Sequence, residues 1–293
     1  MMIETNHEQF FQAVLFQIFG YDLPLKGYQF VSGGCINNAV KLDTAEGELF
    51  LKWNADTADD MFEKEAQGLQ LMKESHTVNI PEILGLGEAD GKKFLLLDYV
   101  AEYRRSATYW QDLSSSLAAM HKTTQDSFGL DHNNFIGRLP QRNTQEKGWV
   151  DFFIEHRLEV QLGLAIYNNL VDQDFAKRFR HLYPMLPGEM PEEPPALVHG
   201  DLWGGNVIVG YKGAPYLIDP AVHFGHREAE LAFTRLFGGF DRSFYQSYHE
   251  TYPLEPGFED RVDLYNLYPL LVHVNLFGTS YLSGITQTLR RYL

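Results

Sequence analysis

The spacing of apolar residues in this 293-residue chain changes near residue 100, from a mixture of strand and helix periods to mainly helix periods. This change limits the folds that the chain can adopt. Before residue 100, helical periods occupy 5–20 and 59–73, and strand-like runs occupy 28–31, 39–42, 49–53, 83–87 and 94–99. Thr5 and Glu8 have the spacing of a capping box, which predicts that the first helix begins at Thr5. After residue 100 the period is mainly helical, most clearly over 109–122 and 149–169. The pattern predicts an α+β protein, with one unit at 1–100 and a mainly helical unit at 101–293.

The net charge of −15 limits the partners and the location that we expect. An acidic chain repels the phosphates of nucleic acids, so we expect no nucleic-acid partner.

The most apolar run, 267–277, contains Pro269, His273 and Asn275 and is too short to span a bilayer. The N-terminus lacks the basic region of a signal peptide. We therefore expect a cytoplasmic protein with no membrane partner.

The strongest motif is the run His-Gly-Asp-Leu-Trp-Gly-Gly-Asn at 199–206, which is followed by Asp219. Phosphoryl transfer requires a carboxylate that orients and deprotonates the acceptor hydroxyl, and oxygen ligands for metal ions on the phosphates. The spacing predicts Asp201 as the catalytic base and Asn206 and Asp219 as ligands of Mg²⁺. The motif alone is only moderately specific, since an aspartate in a turn is more often a cap or a surface residue.

A second group of residues occurs in the first unit, in the order that kinases use. Gly33 and Gly34 lie between two predicted strands, where a turn rich in backbone amides can fold over phosphates. Lys52 lies in the middle of a predicted strand, and Glu65 follows 13 residues later in a predicted helix. A Lys–Glu pair of this kind positions the lysine on the phosphates of ATP. The alternatives are a lysine that reaches solvent from an edge strand and a solvated helical glutamate.

The segment 96–100 lies where the hinge of a kinase is expected. There the backbone at Asp98, Tyr99 and Val100 would bind the edge of the adenine ring. Together with the lysine, the glutamate and the aspartates, this order predicts a protein-kinase-like bilobal fold. Its N-lobe would hold an antiparallel five-stranded sheet plus a helix, its C-lobe would be mainly helical, and its cofactors would be ATP and Mg²⁺.

Departures from the protein-kinase pattern indicate a small-molecule substrate. Gly200 replaces the arginine of His-Arg-Asp, so the residue that contacts a phosphorylated activation loop is missing. Pro220 follows Asp219 in place of Phe-Gly, and no Ala-Pro-Glu follows. About a hundred residues separate the hinge from His199, and we expect them to build the substrate pocket.

The sequence resembles the fructosamine kinase family, a relative of the aminoglycoside and choline phosphotransferases. The resemblance is carried by 32–37, 128–129, 136–137, Gln141, Asn143, Trp149, 152–153, 157–158, 199–206, 219–221, 225–228 and 231–240. One departure is Glu230, where the family pattern favours aspartate. The resemblance implies ATP-dependent phosphorylation of the sugar 3-hydroxyl of ketosamines of the fructosamine or ribulosamine type, free or protein-bound. Elimination of the 3-phosphate then removes the sugar from the amine, which is deglycation.

Two other functions remain open from the residues alone. A phosphotransferase for another small alcohol, such as an aminoglycoside or choline, would share the catalytic motif, but the Gly-His-Arg-Glu block at 225–228 argues against it. A nucleotide-binding pseudokinase is opposed by the intact Lys52, Asp201, Asn206 and Asp219.

Three residues near the motif have competing interpretations as substrate ligands. Trp203 could stack on the substrate or pack the loop. His226 and Arg227 could line the substrate pocket or tie the start of a helix to the catalytic loop.

Cys35 is the one cysteine of the sequence, so it cannot form an internal disulfide. Its place in the predicted phosphate loop makes it a candidate redox site. Oxidation could give a sulfenic acid, a mixed disulfide or a bridge to Cys35 of another molecule, which predicts a monomer or a redox-linked homodimer. The alternative is a small residue required by the loop.

Overall fold

The computed structural model describes residues 2–31, 37–55 and 60–293, and it describes side chains from residue 7 onward within the first of these ranges. The strands are β1 (Leu25–Phe30), β2 (Asn38–Thr44), β3 (Gly47–Asn54), β4 (Ile83–Ala89), β5 (Lys92–Asp98), β6 (Asn134–Ile136), β7 (Leu139–Gln141), β8 (Ala196–Val198), β9 (Val207–Val209), β10 (Pro215–Leu217) and β11 (His223–Gly225).

Twelve α-helices are present in the described ranges. They are α1 (Met2–Phe19), α2 (Met61–Glu74), α3 (Tyr109–Met120), α4 (Trp149–Phe153), α5 (Glu159–Tyr167), α6 (Gln173–Arg180), α7 (Leu186–Glu189), α8 (Arg227–Phe233), α9 (Arg242–Thr251), α10 (Phe258–Tyr265), α11 (Leu267–Phe277) and α12 (Leu282–Tyr292).

The N-terminal lobe is an antiparallel sheet in the order β1-β2-β3-β5-β4. All four pairings are antiparallel, as the predicted strands and turns require. The predicted fold class is confirmed, with a five-stranded sheet before residue 100 and helices after it. The predicted capping box is wrong, because α1 begins at Met2 and Thr5 lies inside it.

Helices cover both faces of this sheet. On one face, α1 contributes Phe10, Phe11, Val14 and Leu15 to a core that includes Trp53. On the other face, Phe62 and Leu69 of α2 pack on Leu95 and Leu97 of β5. The central strand β3 is therefore buried on both sides, and any polar side chain on it needs a partner.

The C-terminal lobe contains one large core and three two-stranded sheets, which pair β6 with β7, β8 with β11 and β9 with β10. The hairpin of β6 and β7 lies within a segment that contains no predicted element. The predicted helix at 149–169 is interrupted by a π-helical turn, Ile154–Leu158, between α4 and α5. Such turns occur often at functional sites, and this one directs Arg157 into the core.

The two lobes meet at the sheet of β9 and β10. The backbone N–H of Leu217 donates to the carbonyl of Asn79 (2.9 Å), and the side chain of Asn79 donates to the carbonyl of Pro215 (3.0 Å). These bonds hold the end of β10 against the N-terminal lobe.

The division into units 1–100 and 101–293 stays a prediction. Among the described helices, none is long and apolar enough to cross a membrane.

Candidate active site

Lys52 and Glu65 form a buried ion pair that bridges the sheet and α2. The Nζ atom of Lys52 lies 2.7 Å from Oε1 of Glu65. Lys52 is held in the middle of β3 by pairing with Ala39 and Leu95 on the neighbouring strands. Burial acts to lower the pKa of Lys52, but the nearby carboxylates of Asp219 and Glu65 raise it well above its usual value. Lys52 is therefore a fixed positive charge.

Asp219 follows β10 and forms a second ion pair with Lys52 across the lobes. Its backbone is left-handed, with φ of 55°, which is uncommon for a residue other than glycine. Strained backbone of this kind is found preferentially at functional sites. The side chain is 44% exposed, so its carboxylate remains accessible to a ligand from the cleft between the lobes.

Asp201 and Asn206 face each other on the loop after β8. The amide Nδ2 of Asn206 donates to the carbonyl of Asp201 (2.8 Å) and to its carboxylate Oδ2 (3.1 Å). Burial and the nearby charge of Asp219 raise the pKa of Asp201 to about 7, although Asn206 acts in the opposite direction. A carboxylate with a pKa near neutral can accept a proton at physiological pH, as a general base must.

The donor set around Asp219 and Asn206 fits Mg²⁺. Because Nδ2 of Asn206 is engaged with Asp201, its oxygen Oδ1 is the atom left to serve as a ligand. Asp219 adds carboxylate oxygens, and Mg²⁺ prefers a few protein oxygens together with phosphate oxygens and water. These two residues could hold the metal that the motif implies.

The buried carboxylate of Glu230 holds the backbone of the catalytic loop in place. Its two carboxylate oxygens accept hydrogen bonds from the backbone N–H groups of His199 (3.1 Å) and Gly200 (2.8 Å). Oε1 also lies 2.9 Å from Nε2 of His121. The extra methylene of Glu230, compared with the aspartate favoured by the family pattern, therefore does not prevent it from supporting the loop.

His199 braces the loop in its neutral form. Its Nδ1 accepts from the backbone N–H of Asp201 (3.2 Å), so Nε2 carries the proton and donates to the carbonyl of Ile218 (2.9 Å). Burial lowers the pKa of His199, which stabilises this arrangement. His199 thus joins the catalytic loop to the residue before Asp219.

Gly200 is required by the backbone at this point. Its φ is +82°, and a Cβ atom here would overlap the carbonyl oxygen of Ala221. The arginine of protein kinases could not occupy this position without moving the segment after Asp219.

A cavity of about 50 Å³ opens beside Asp201 and extends into the C-terminal lobe. Its wall contains three histidines and five aromatic side chains. They are His223, His226, His273, Trp149, Phe153, Phe233, Tyr265 and Tyr268. Burial lowers the pKa of all three histidines, so they stay neutral, and Arg157 supplies a positive charge at the wall.

Arg157 belongs to a buried polar network under this cavity. Its Nη2 donates to Oδ1 of Asn143 (2.8 Å), and Nη1 donates to the carbonyl of His156 (3.1 Å). Gln141 connects the network to the active site, because its amide donates to the carbonyl of Ala221 (3.0 Å) and its oxygen accepts from the hydroxyl of Tyr268 (2.7 Å). The sequence indicated Gln141, Asn143 and Arg157 only by resemblance and gave no role for Tyr268.

His226 and Arg227, predicted as possible substrate residues, have different surroundings. His226 lines the cavity, but Arg227 does not. The guanidinium of Arg227 binds both carboxylate oxygens of Glu193 (2.7 and 2.6 Å) and the carbonyls of Tyr252 and Pro253 (2.9 and 2.7 Å). These contacts tie the start of α8 to Glu193 and to the backbone at Tyr252 and Pro253, and not to the catalytic loop as the alternative had it. A substrate role for Arg227 stays a prediction.

Because His226 is buried in its neutral form, we expect the free energy of unfolding to decrease in acid. Its Nδ1 accepts from the N–H of Glu228 (3.2 Å), and its Nε2 donates to the carbonyl of Pro191 (3.1 Å). Protonation of Nδ1 would break this N-cap, and burial lowers the pKa of His226 from 6.5 to about 4. Since the folded pKa is the lower one, the contribution is fully present above pH 6.5 and is lost as the pH falls towards 4. By linkage it amounts to about 3 kcal/mol.

Unfolding by urea between pH 7 and 4 measures this effect. The matched variant His226→Asn keeps a capping oxygen but has no group that titrates. We expect its stability to fall less steeply with pH than that of the wild type. Parallel curves for the two proteins would contradict the assignment.

Trp203 lies on the same loop as Asp201 and is 38% exposed. Its ring makes an edge contact with Phe237, with the centroids 6.3 Å apart. Gly205 allows the ring to lie across the loop, since a Cβ atom there would overlap it. Trp203 therefore packs on the loop and still exposes part of its ring, which is compatible with both interpretations from the sequence.

The predicted hinge connects β5 to the C-terminal lobe. The N–H of Tyr99 donates to the carbonyl of Glu48 (3.3 Å), and the carboxylate of Asp98 accepts from the N–H of Glu82. Within the ranges that the structure describes, the N–H of Val100 donates to no backbone carbonyl, so it is available to a nucleotide. The predictions for Gly33, Gly34 and Cys35 lie outside the described residues.

The fold and this site define the class of protein. A five-stranded sheet with a Lys–Glu pair, joined to a helical lobe with an Asp–Asn loop and a second aspartate, is the arrangement of kinase-like phosphotransferases. The solved structure of an aminoglycoside phosphotransferase matches 96% of this chain and 98% of its own with a TM-score of 0.63 at 17% identity, which shows the shared fold.

The family model of fructosamine kinase matches residues 8–293. A "Probable ketoamine kinase" of Synechocystis is 40% identical over 264 residues, covering 90% of this chain and 89% of the relative. The chloroplastic protein-ribulosamine 3-kinase of Oryza sativa subsp. indica is 36% identical over 275 residues, covering 92% and 79%. A Haemophilus somnus structure, provisionally assigned as a fructosamine-3-kinase, matches 97% of each chain with a TM-score of 0.86 at 28% identity.

This chain belongs to the fructosamine kinase family and is an ATP-dependent phosphotransferase. The resemblance predicted from its motifs is confirmed.

Proposed function

We propose that this enzyme transfers the γ-phosphoryl group of ATP to the sugar 3-hydroxyl of ketosamines. The observation that carries the proposal is the position of Asp201, which lines the cavity of the C-terminal lobe and is close enough to Asp219, the partner of Lys52, for the charge of Asp219 to raise its pKa. A hydroxyl group bound in that cavity would face the phosphates of a nucleotide bound in the cleft.

Each residue of the site has a role in this reaction. Asp201 orients the 3-hydroxyl and accepts its proton as the new O–P bond forms. The bond between the γ-phosphorus and the bridging oxygen breaks, and ADP leaves with that oxygen. Lys52, held by Glu65, binds the α- and β-phosphates, and the backbone of Asp98 and Val100 binds adenine.

Asn206 and Asp219 would hold Mg²⁺, which neutralises charge on the phosphates when it is bound. Their oxygens would place the nucleotide relative to Asp201. Trp203, which is partly exposed on the same loop as Asp201, would contact the substrate.

The cavity wall suits a hydroxyl-rich ligand. Nδ1 of His223 and Nδ1 of His273 are engaged with backbone carbonyls (3.1 and 2.7 Å), which leaves Nε2 of each ring to accept a hydrogen bond from a hydroxyl group. Aromatic rings in the wall can pack on the C–H groups of a sugar. Tyr268 adds a hydroxyl group. The sugar of a ketosamine in its open-chain form has this chemistry. Elimination of the 3-phosphate would leave the nitrogen bound to the sugar as an imine, and hydrolysis of that imine by water would release the amine, so the proposed biological outcome is deglycation.

A substrate panel with ATP and Mg²⁺ tests this function. ADP release should depend on a ribulosamine or a fructosamine, and phosphorus NMR should place the phosphate on O3. An aminoglycoside and choline serve as the alternative acceptors. Turnover of either of them, without turnover of a ketosamine, would contradict the proposal.

A further inference from the structure

Three buried polar side chains form a chain of hydrogen bonds that leads from α9 to the backbone of the catalytic loop. They are Tyr248 on α9, His121 directly after α3 and Glu230 on α8. His121 precedes Glu230 by 109 residues and Tyr248 by 127 residues, so only the folded protein brings the three together. The catalytic motif in the sequence gives no role to His121 or Tyr248.

His121 lies at the centre of this chain and uses both nitrogens of its ring. Its Nε2 lies 2.9 Å from Oε1 of Glu230, and its Nδ1 lies 2.7 Å from the hydroxyl oxygen of Tyr248. All three side chains are therefore buried and paired. A buried polar network whose members all have partners is rigid and specifies one arrangement of its side chains.

The hydrogen bonds of the chain have one consistent direction. Burial raises the pKa of Tyr248, so its hydroxyl keeps its proton and donates to Nδ1 of His121. In this arrangement Nε2 of His121 carries the ring proton and donates to the carboxylate of Glu230. The hydrogen bond at one ring nitrogen of a histidine determines the state of the other. Tyr248 therefore keeps His121 in the tautomer that can bind Glu230.

The carboxylate of Glu230 depends on these donors because it is buried. Burial acts to raise the pKa of Glu230, but His121, His199 and the backbone N–H of Gly200 lower it below its usual value. A buried carboxylate is stable in its ionised form only where donors surround it. Oε1 accepts from His121 and also from the backbone N–H of His199. The donor that compensates the charge of Glu230 thus also holds the oxygen that binds the loop.

The backbone that Glu230 holds leads directly to the proposed base. Asp201 follows Gly200 in the chain, and its backbone N–H donates to Nδ1 of His199 (3.2 Å). A displacement of the Glu230 carboxylate would release the N–H groups of His199 and Gly200 and shift Asp201 relative to the acceptor hydroxyl. A misplacement of about 1 Å in a reacting group can lower a rate by about 100-fold.

We propose that His121 is a positioning residue for phosphoryl transfer, which acts through Glu230 to hold the catalytic loop, and with it Asp201, in its reactive place. Tyr248 supports this role because it fixes the ring of His121. The proposal rests on the role of Asp201 in the proposed function. Neither His121 nor Tyr248 belongs to the wall of the cavity, so a substitution there reaches the reaction through the loop and not through a contact with the substrate.

Two amide substitutions at position 121 separate this role from a merely structural one. The amide of His121→Gln can reach the position of Nε2 and donate to Glu230, whereas the shorter amide of His121→Asn can replace only the contact with Tyr248. We expect His121→Asn to lower kcat by about 10-fold, with the KM for ATP and for the acceptor within about 2-fold of the wild type, because the loop positions reacting groups. His121→Gln should retain most of the wild-type kcat.

A double-mutant cycle tests whether His121 acts through Glu230. In the Glu230→Ala background, His121→Asn should lower kcat little further, since the group that it positions is gone. Phe179→Leu controls for lost stability, because Phe179 is buried in the same core but lies on α6. This control should lower Tm and leave kcat unchanged when it is assayed well below Tm.

The outcomes are decisive in either direction. Equal kcat values for His121→Asn and His121→Gln would overturn the proposal, as would additive losses in the cycle or a fall of kcat in Phe179→Leu. If Glu230→Ala does not fold, the comparison of the two amides decides alone. The kinetics use whichever acceptor of the substrate panel is phosphorylated. Turnover of an aminoglycoside or choline in place of a ketosamine would therefore contradict the proposed function, while the role of His121 would still be decided with that acceptor.

Discussion

Replacement of Asp201 by asparagine is expected to lower kcat by about 100-fold or more, the usual scale for the loss of a general base. The amide has nearly the same shape as the carboxylate, and its oxygen can still accept the hydrogen bond that Asn206 donates at 3.1 Å. What it lacks is the ability to take the proton of the acceptor hydroxyl. The loss should therefore appear in kcat, with little change in the affinity for ATP.

Stability provides the control for Asp201→Asn. Burial and the charge of Asp219 raise the pKa of Asp201, which means that the folded protein disfavours its ionised form. A neutral amide removes that repulsion, so Tm should not fall. Nucleotide affinity measured by calorimetry should also be retained. Turnover close to that of the wild type, with an unchanged melting curve, would refute the assignment of Asp201 as the base.

Lys52→Ala is expected to lower kcat/KM for ATP by about 100-fold or more, since the lysine binds the phosphates in both the ground state and the transition state. Glu65→Ala should have a similar effect for an indirect reason. Lys52 contacts two carboxylates, Glu65 and Asp219. Without Glu65, the lysine would pair with Asp219 alone and draw that carboxylate away from the metal position.

A double-mutant cycle measures the coupling of the pair. If Lys52 and Glu65 act as one unit, the double variant should be hardly worse than Lys52→Ala. The matched control is the exposed pair of Lys177 and Asp174 on α6, whose Nζ and Oδ1 atoms are 3.6 Å apart. That cycle should leave kcat unchanged, because exposed ion pairs contribute little. Additive losses at Lys52 and Glu65 would show that the ion pair is not functional.

Much of the fold and of the geometry of the candidate site could be predicted from the sequence. The alternation of apolar residues gave the five strands to within a few residues, because a strand buried on one or both faces has a recognisable period. Lys52 was detectable because a lysine inside an apolar strand requires a partner, and the structure provides two. Asp201 and Asn206 lie on one short loop, so their spacing alone brings them together.

Other features depend on residues that are far apart along the chain. Glu230 reaches the backbone of His199 and Gly200 from a helix 30 residues later, and no periodicity reveals that contact. Arg227 belongs to a motif that resembled a substrate site, yet four hydrogen bonds to distant groups occupy its guanidinium. Motifs identify residues but not the direction in which a side chain points.

The sequence by itself determined the order of the elements and the chemistry of the catalytic loop, because both depend on neighbours along the chain. The tertiary structure alone decided what the site can hold. The cavity beside Asp201 forms only when α8 and α11, which are far apart along the chain, each contribute part of its wall. A single aromatic residue has the same identity in a core as on a binding surface, and only packing determines which of its faces remains open to a ligand.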